Sequence, residues 1–197
     1  MTEAAPGRLW AGLAALLAAA SLLAWWLPAE GLDWQPTRAA TEPWRAWTAA
    51  FVHWSPTHLT INLIGTVLVA ALGLAARLPA RVAVAWAVAW PLTQAGLWLR
   101  PELAHYGGLS GVLHAGVACA AAWLVLAARG RQRAIGVAIA LGLTFKVWAE
   151  APWGPALRTG GDWDIAVAPF AHASGAVAGA LCGLAARLLP IHLRSPP

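Results

Sequence analysis

The chain has 197 residues, of which 60% are hydrophobic and only 11% charged. A soluble domain is typically about a quarter charged, so this composition excludes an ordinary soluble enzyme and points to lipid as the main solvent. The net charge of +5 and pI near 10.6 do not indicate a nucleic-acid partner, because the arginines fall in short clusters between apolar runs rather than in one patch.

A membrane-crossing helix needs about 20 mostly apolar residues. Six such runs are predicted, at 9–27, 59–76, 80–99, 109–128, 134–149 and 166–189. The expected fold is an all-α membrane protein, one six-helix domain over residues 1–197. The first run could be read as a signal peptide because Arg8 precedes it. Its length, the Trp25–Trp26 pair at its end and the lack of a clear cleavage site favour a retained span. The loop before the second run, about Pro28 to Thr57, contains Trp34, Trp44, Trp47 and Trp54 and is too apolar for a solvated linker. It is expected to lie among lipid headgroups, where indole rings settle. The fifth run carries Lys146 near one end, with snorkelling to the interface as the plain explanation. Cys119 and Cys182 fall inside apolar runs and read as small buried hydrophobes.

Loop charge sets orientation. With the N-terminus cytoplasmic, the inner segments hold eight arginines, including Arg8, the Arg77/Arg81 and Arg129/Arg131/Arg133 clusters, Arg187 and Arg194. The outer segments hold four: Arg38, Arg45, Arg100 and Arg158. Both termini are therefore expected inside. The acidic residues, Glu150 and Asp162 among them, fall outside or at the outer edge, except Glu3.

Polar side chains within spans are costly and mark function. The second span opens with His58 and holds Asn62, the only asparagine in the chain. The fourth opens with Gly107-Gly108-Leu109-Ser110-Gly111 and continues to His114; the sixth holds His172, Ser174, Gly175 and Gly179. Spans two, four and six all enter from the outside, so these groups share one depth in the outer leaflet. Ser110 and His172 then read as nucleophile and general base. No carboxylate lies within a span at that depth, so a dyad is expected. The Asn62 amide, the His58 imidazole and the Ser110 backbone N–H are candidate donors to the oxyanion. Gly175 and Gly179, in a stripe with Ala171 and Gly183, would let the sixth helix approach a neighbour closely.

Taken together these residues resemble the rhomboid intramembrane serine protease family. Trp44-Arg45 is similar to the family's Trp-Arg loop motif. His53 with His58-x-x-x-Asn62 is similar to its oxyanion region. Gly108-x-Ser110-Gly111 is similar to its nucleophile motif, and His172-x-x-Gly175-x-x-x-Gly179 to its histidine helix. The resemblance covers about Pro43 to Leu184. It implies a six-span rhomboid-like bundle, a serine endopeptidase without cofactor or metal, and transmembrane proteins as substrates. His114 stands where rhomboids often have a tyrosine stacked on the catalytic histidine. With the segment from Gly108 to His114 and the short body, this looks like the rhombosortase branch. That branch implies cleavage of a C-terminal Gly-Gly sorting tail at the extracytoplasmic face of a bacterial inner membrane.

Other roles are weighed alongside. His114 either tunes His172, contacts substrate, or is a packed residue bonded to a carbonyl. His53 shapes the loop, and Arg45 bonds loop carbonyls while Trp44 anchors in headgroups. His105 and Tyr106 line the entrance or face water, and His192 is a tail residue. A non-catalytic rhomboid-like helix-binding protein is disfavoured by the presence of both Ser110 and His172. A transporter would need inverted repeats and broken helices at the midplane, whereas the polar groups cluster in one leaflet.

Overall fold

The computed structural model describes residues 6–160 and 164–188. Glu3, Asp162, Leu189, His192 and Arg194 lie outside the described residues. Among the described residues there are six long α-helices and one short one, besides three 3-10 turns: α1 (Arg8–Ala24), α2 (Arg45–Thr48), α3 (Pro56–Ala75), α4 (Ala80–Ala95), α5 (Ser110–Ala127), α6 (Gly130–Ala149) and α7 (Pro169–Leu188). Each apolar run of the sequence corresponds to one long helix. Four of them, at Pro56–Ala75, Ala80–Leu99, Ser110–Ala127 and Pro169–Leu188, are long and apolar enough to cross a bilayer. The other two fall short by that measure. α1 has 17 residues, ending three residues before the expected Leu27, and α6 is diluted by Arg131, Arg133 and Lys146. The exposed surface of the helices is studded with large apolar side chains, such as Val67, Leu68, Leu141 and Phe145, as befits a multi-pass membrane protein.

Local sequence sets the helix ends that matter for the site. Ser55 is extended, at φ −147° and ψ 155°, and its Oγ accepts the His58 N–H at 3.0 Å, with Pro56 at the first helical position. This cap starts α3 so that His58 falls in its first turn. Gly108 has φ +135°, a conformation L side chains avoid, and a Cβ there would meet the His58 ring at 2.9 Å. Only glycine allows the chain to turn there into α5 with Ser110 as its first residue.

α5 is the centre of the bundle. α7, α6, α4 and α3 all pack on it, and α1 packs on α3 and α4. Two tryptophans tie the core together. Trp10 donates to the Val69 carbonyl at 2.7 Å, Trp86 donates to the Val112 carbonyl at 2.8 Å, and their rings lie 4.4 Å apart. The indole N–H groups of Trp10 and Trp86 are thereby both satisfied despite their burial.

The loop between α1 and α3 is folded rather than solvated. Arg45 is only 2% exposed and is its clamp: it donates to the Asp33 carbonyl (2.6 Å) and carboxylate (2.9 Å), to the Glu30 carbonyl (3.0 Å) and to Glu42 (2.6 Å). A buried guanidinium needs such complete pairing. Trp44 beside it is half exposed, and Trp34 pairs its backbone with Tyr106, joining this loop to the segment before α5.

Candidate active site

The α5–α7 seam brings the site together. A Cβ on Gly175 would collide with the Gly111 carbonyl, one on Gly179 with the Ala115 carbonyl, and one on Gly183 would meet the Cys119 carbonyl at 2.9 Å. The two backbones are thus in direct contact along three turns, which small residues alone permit. Cys119 is buried and donates to the Gly179 carbonyl within the same seam. Ser174 donates to the Thr93 carbonyl at 2.7 Å and holds α7 to α4. At the N-terminal end of both helices His172 Nε2 lies 2.9 Å from Ser110 Oγ, a hydrogen bond across the seam.

His114 lies one turn below Ser110. Its Nδ1 is 2.7 Å from the Ser110 carbonyl, and its ring stacks on His172 with centroids 4.2 Å apart and planes 10° apart. It is thus bonded to a carbonyl, as the packed reading expects, and it also packs on the His172 ring. The stack fixes the plane of His172, and the carbonyl bond fixes His114.

His58, Asn62, Ser110, His114 and His172 all line one cavity of about 620 Å³. Asn62 is buried, and its amide makes no hydrogen bond among the described residues, so its N–H groups are free for a ligand. His58 is buried against Gly108, and its Nδ1 has no hydrogen-bond partner among the described residues. The Ser110 N–H belongs to the first turn of α5, where helical N–H groups lack intrahelical acceptors. The arrangement can therefore offer several donors near one hydroxyl. His53 does not line the cavity. Its Nδ1 bonds the Phe51 carbonyl at 3.0 Å and its ring lies 4.7 Å from that of His58. Burial holds the His53 imidazole down at about 4, despite the opposing effect of that carbonyl bond, so it is neutral at ordinary pH. Trp44 and Arg45 also lie off the cavity, in the loop that frames it. His105 lines the cavity mouth and binds Asp33 at 2.6 Å, while Tyr106 is buried beneath it.

One neighbour escaped the sequence reading, which left His172 without a carboxylate. Glu150, just beyond the end of α6, puts Oε2 at 2.8 Å from His172 Nδ1, with its other oxygen on Lys146 Nζ at 2.6 Å. Its position beyond the end of an apolar run was readable; that the end of α6 abuts α7 at His172 was not. The donor atoms of His114, Glu150 and His172 all lie within 4.8 Å of one another. Two nearly parallel rings cannot aim in-plane lone pairs at one point, and the Lys146 ammonium already neutralises the carboxylate, so the cluster suits proton exchange better than cation binding.

The walls of the cavity are uneven. One flank is α3, with Ile61, Asn62, Gly65 and Leu68; the other is α6, with Ile139, Gly142, Leu143 and Lys146. These helices do not pack on each other, and α6 buries only Gly136, against Leu124 of α5. The segment after Glu150 roofs the cavity through Leu157, Ile165 and Val167, and Asp164 accepts a bond from Ser55 at 2.8 Å that ties this roof to the cap of α3.

No curated protein matches the chain. The rhomboid domain model matches residues 40–188, which takes in α2 through α7 and every cavity-lining residue named above. Members of that family are intramembrane serine proteases that act on transmembrane substrates, and a hydroxyl and an imidazole in hydrogen-bond contact at the top of a glycine-packed helix pair are the parts such chemistry needs. On this match, over most of its length, the chain belongs to the rhomboid family.

Proposed function

We propose that the protein is an active intramembrane serine endopeptidase with Ser110 as nucleophile and His172 as general base. The observation that carries this reading is the 2.9 Å contact between Ser110 Oγ and His172 Nε2 at the wall of a cavity bordered by apolar helix flanks. His172 takes the hydroxyl proton as Ser110 Oγ attacks the scissile carbonyl. The oxyanion is met by the Ser110 N–H, the Asn62 amide and the His58 ring. His172 then protonates the departing amine, and water hydrolyses the acyl-enzyme by the same route. The gap between α3 and α6 is the path by which a substrate helix reaches the cavity from the lipid, because those two helices are unpacked and their rims are apolar.

The finer reading is a rhombosortase-like activity on proteins with a C-terminal Gly-Gly tail. His114 in place of tyrosine and the Gly108-to-His114 segment support it. A helix hides its carbonyls in hydrogen bonds, and glycine lowers the cost of unwinding it. We place the chain as one six-span unit in a bacterial inner membrane, with both termini cytoplasmic and the cavity opening outward, as the eight-to-four arginine distribution supports. α1 and α6 count as spans in this reading.

The test is labelling of membranes with a fluorophosphonate probe, comparing wild type with Ser110→Ala. Labelling of the wild type that disappears in the variant is expected; equal labelling of both removes Ser110 from the role. Mass spectrometry of the C-termini of Gly-Gly-tailed proteins, with and without Ser110, decides the substrate class.

A further inference from the structure

Glu150 is held from several sides. Lys146, one turn earlier on α6, binds its Oε1 at 2.6 Å. Arg158 donates to its main-chain carbonyl at 2.8 Å, and Arg158 is itself paired through its backbone with Val167. Arg100 donates to the carbonyls of Pro152 (2.9 Å) and Gly154 (2.8 Å) in the segment that follows. Three cations from separate parts of the chain thus anchor the turn that presents one carboxylate oxygen to His172 Nδ1. Other contacts of α6 with α7 are sparse, so this elaborate support is not explained by helix packing.

We infer that Glu150 is a positioning residue that completes a Ser110–His172–Glu150 relay, holding the imidazole with its proton on Nδ1 and its lone pair on Nε2 toward Ser110. This rests on the reading of Ser110 and His172 as nucleophile and base. The chemistry follows from valence. Burial opposes ionisation of Glu150, but the bonds to His172 and Lys146 outweigh it and hold the carboxyl down at about 2. An ionised carboxylate only accepts hydrogen bonds, so the 2.8 Å contact requires N–H on His172 Nδ1. In the neutral ring Nε2 then carries the lone pair, which faces Ser110 Oγ at 2.9 Å. When the Ser110 proton moves to Nε2, the ring becomes cationic, and Glu150 sits against the new charge. No bond to Glu150 forms or breaks, and its own proton count does not change. Among the described residues, the other ionisable groups near His172 are His114 of α5, His58 of α3 and Lys146 of α6. None of these supplies a negative charge.

Two measurements test the relay. The first is the rate of fluorophosphonate labelling from pH 5 to 9. Glu150→Gln keeps the shape and can hydrogen-bond either way, so it permits the wrong tautomer. It is expected to slow labelling by about 10²-fold or more. Its acidic limb moves to lower pH, because a carboxylate favours the protonated imidazole and its loss favours the neutral ring. Glu150→Asp recovers part of the rate, and Lys146→Met, which frees Glu150 without touching His172, costs less than about tenfold, as loss of a half-exposed ion pair should. Wild-type rates and an unmoved limb in Glu150→Gln overturn the inference. So do equal losses in Glu150→Gln and Lys146→Met with the limb unmoved, which would make the contact a latch for α6. The second measurement needs no activity. Histidine nitrogen resonances in the Ser110→Ala protein should show His172 protonated at Nδ1, and that signature should be lost on adding Glu150→Gln. A ring protonated at Nε2 with Glu150 intact overturns the relay whatever the protease reading; absence of Ser110-dependent labelling with the Nδ1 signature present sinks the protease reading alone.

Discussion

The α5–α7 seam and the α3–α6 flank are built on opposite packing rules. Along the seam, Gly175, Gly179 and Gly183 lay one backbone on another with no space for a methyl group. Along the flank, two helices of similar length stand apart with a 620 Å³ cavity between them, and α6 buries a single glycine. In lipid there is little hydrophobic gain from bringing apolar helices together, so close van der Waals contact and polar bonds decide which helices hold each other. The seam has both, while the flank has neither. The seam sets Ser110 Oγ and His172 Nε2 at 2.9 Å, and the flank leaves the space through which, in the proposed reading, a substrate enters.

The largest effect should come from breaking the seam. Gly175→Val places methyl groups where the Gly111 carbonyl stands, and must push α7 off α5 or strain both. Overpacking of this kind costs about 1–3 kcal/mol, and even an ångström of misplacement can cost about 10²-fold in rate. Near-complete loss of Ser110 labelling is expected, together with a lower unfolding temperature in detergent. A variant that labels at the wild-type rate would show that the seam does not set the site.

A smaller and more selective effect should come from the flank. Asn62 lies on the α3 wall, and its amide makes no hydrogen bond among the described residues. Asn62→Ala should lower kcat about 10²-fold, as loss of one oxyanion donor does, with KM and unfolding temperature nearly unchanged. A rise in KM alone would assign Asn62 to substrate binding.

The smallest effect sharpens the boundary between the halves, where the loop carrying His53 meets the first turn of α3. Burial holds His53 down at about 4 from 6.5, so the unfolded chain binds its proton first. Its contribution to stability is full above about pH 6.5 and is lost as pH falls toward 4. Thermal unfolding of the Ser110→Ala protein should show a drop over that window that His53→Gln flattens. An identical pH dependence in both proteins would show that His53 is not the titrating group.

Much of the candidate site was legible because a membrane forces polar residues to declare themselves. Ser110, His172, His58 and Asn62 stood out as polar groups in apolar runs, and all four line one cavity. Span boundaries were harder. The expected first run overshot α1 by three residues, and α6 begins at Gly130, four residues early, because a helix continues through arginines that hydropathy treats as loop. Glu150 was seen only as an outer-edge charge, since nothing in its neighbourhood along the chain signals a histidine 22 residues away. His114 was placed on the right face, but its stacking depends on α7 and could not be read from α5 alone.

By itself the sequence determined an all-helical membrane fold, the order of its helices and the helical turn on which each polar group sits, because solvent apolarity and a 1.5 Å rise per residue act locally. Tertiary structure decided which helices touch. The glycine seam brings Ser110 to His172, the unpacked flank leaves a cavity, and the anchored turn after α6 carries Glu150 to the far side of the imidazole. Those outcomes depend on shape complementarity between segments distant in the chain, and hydropathy carries no record of it.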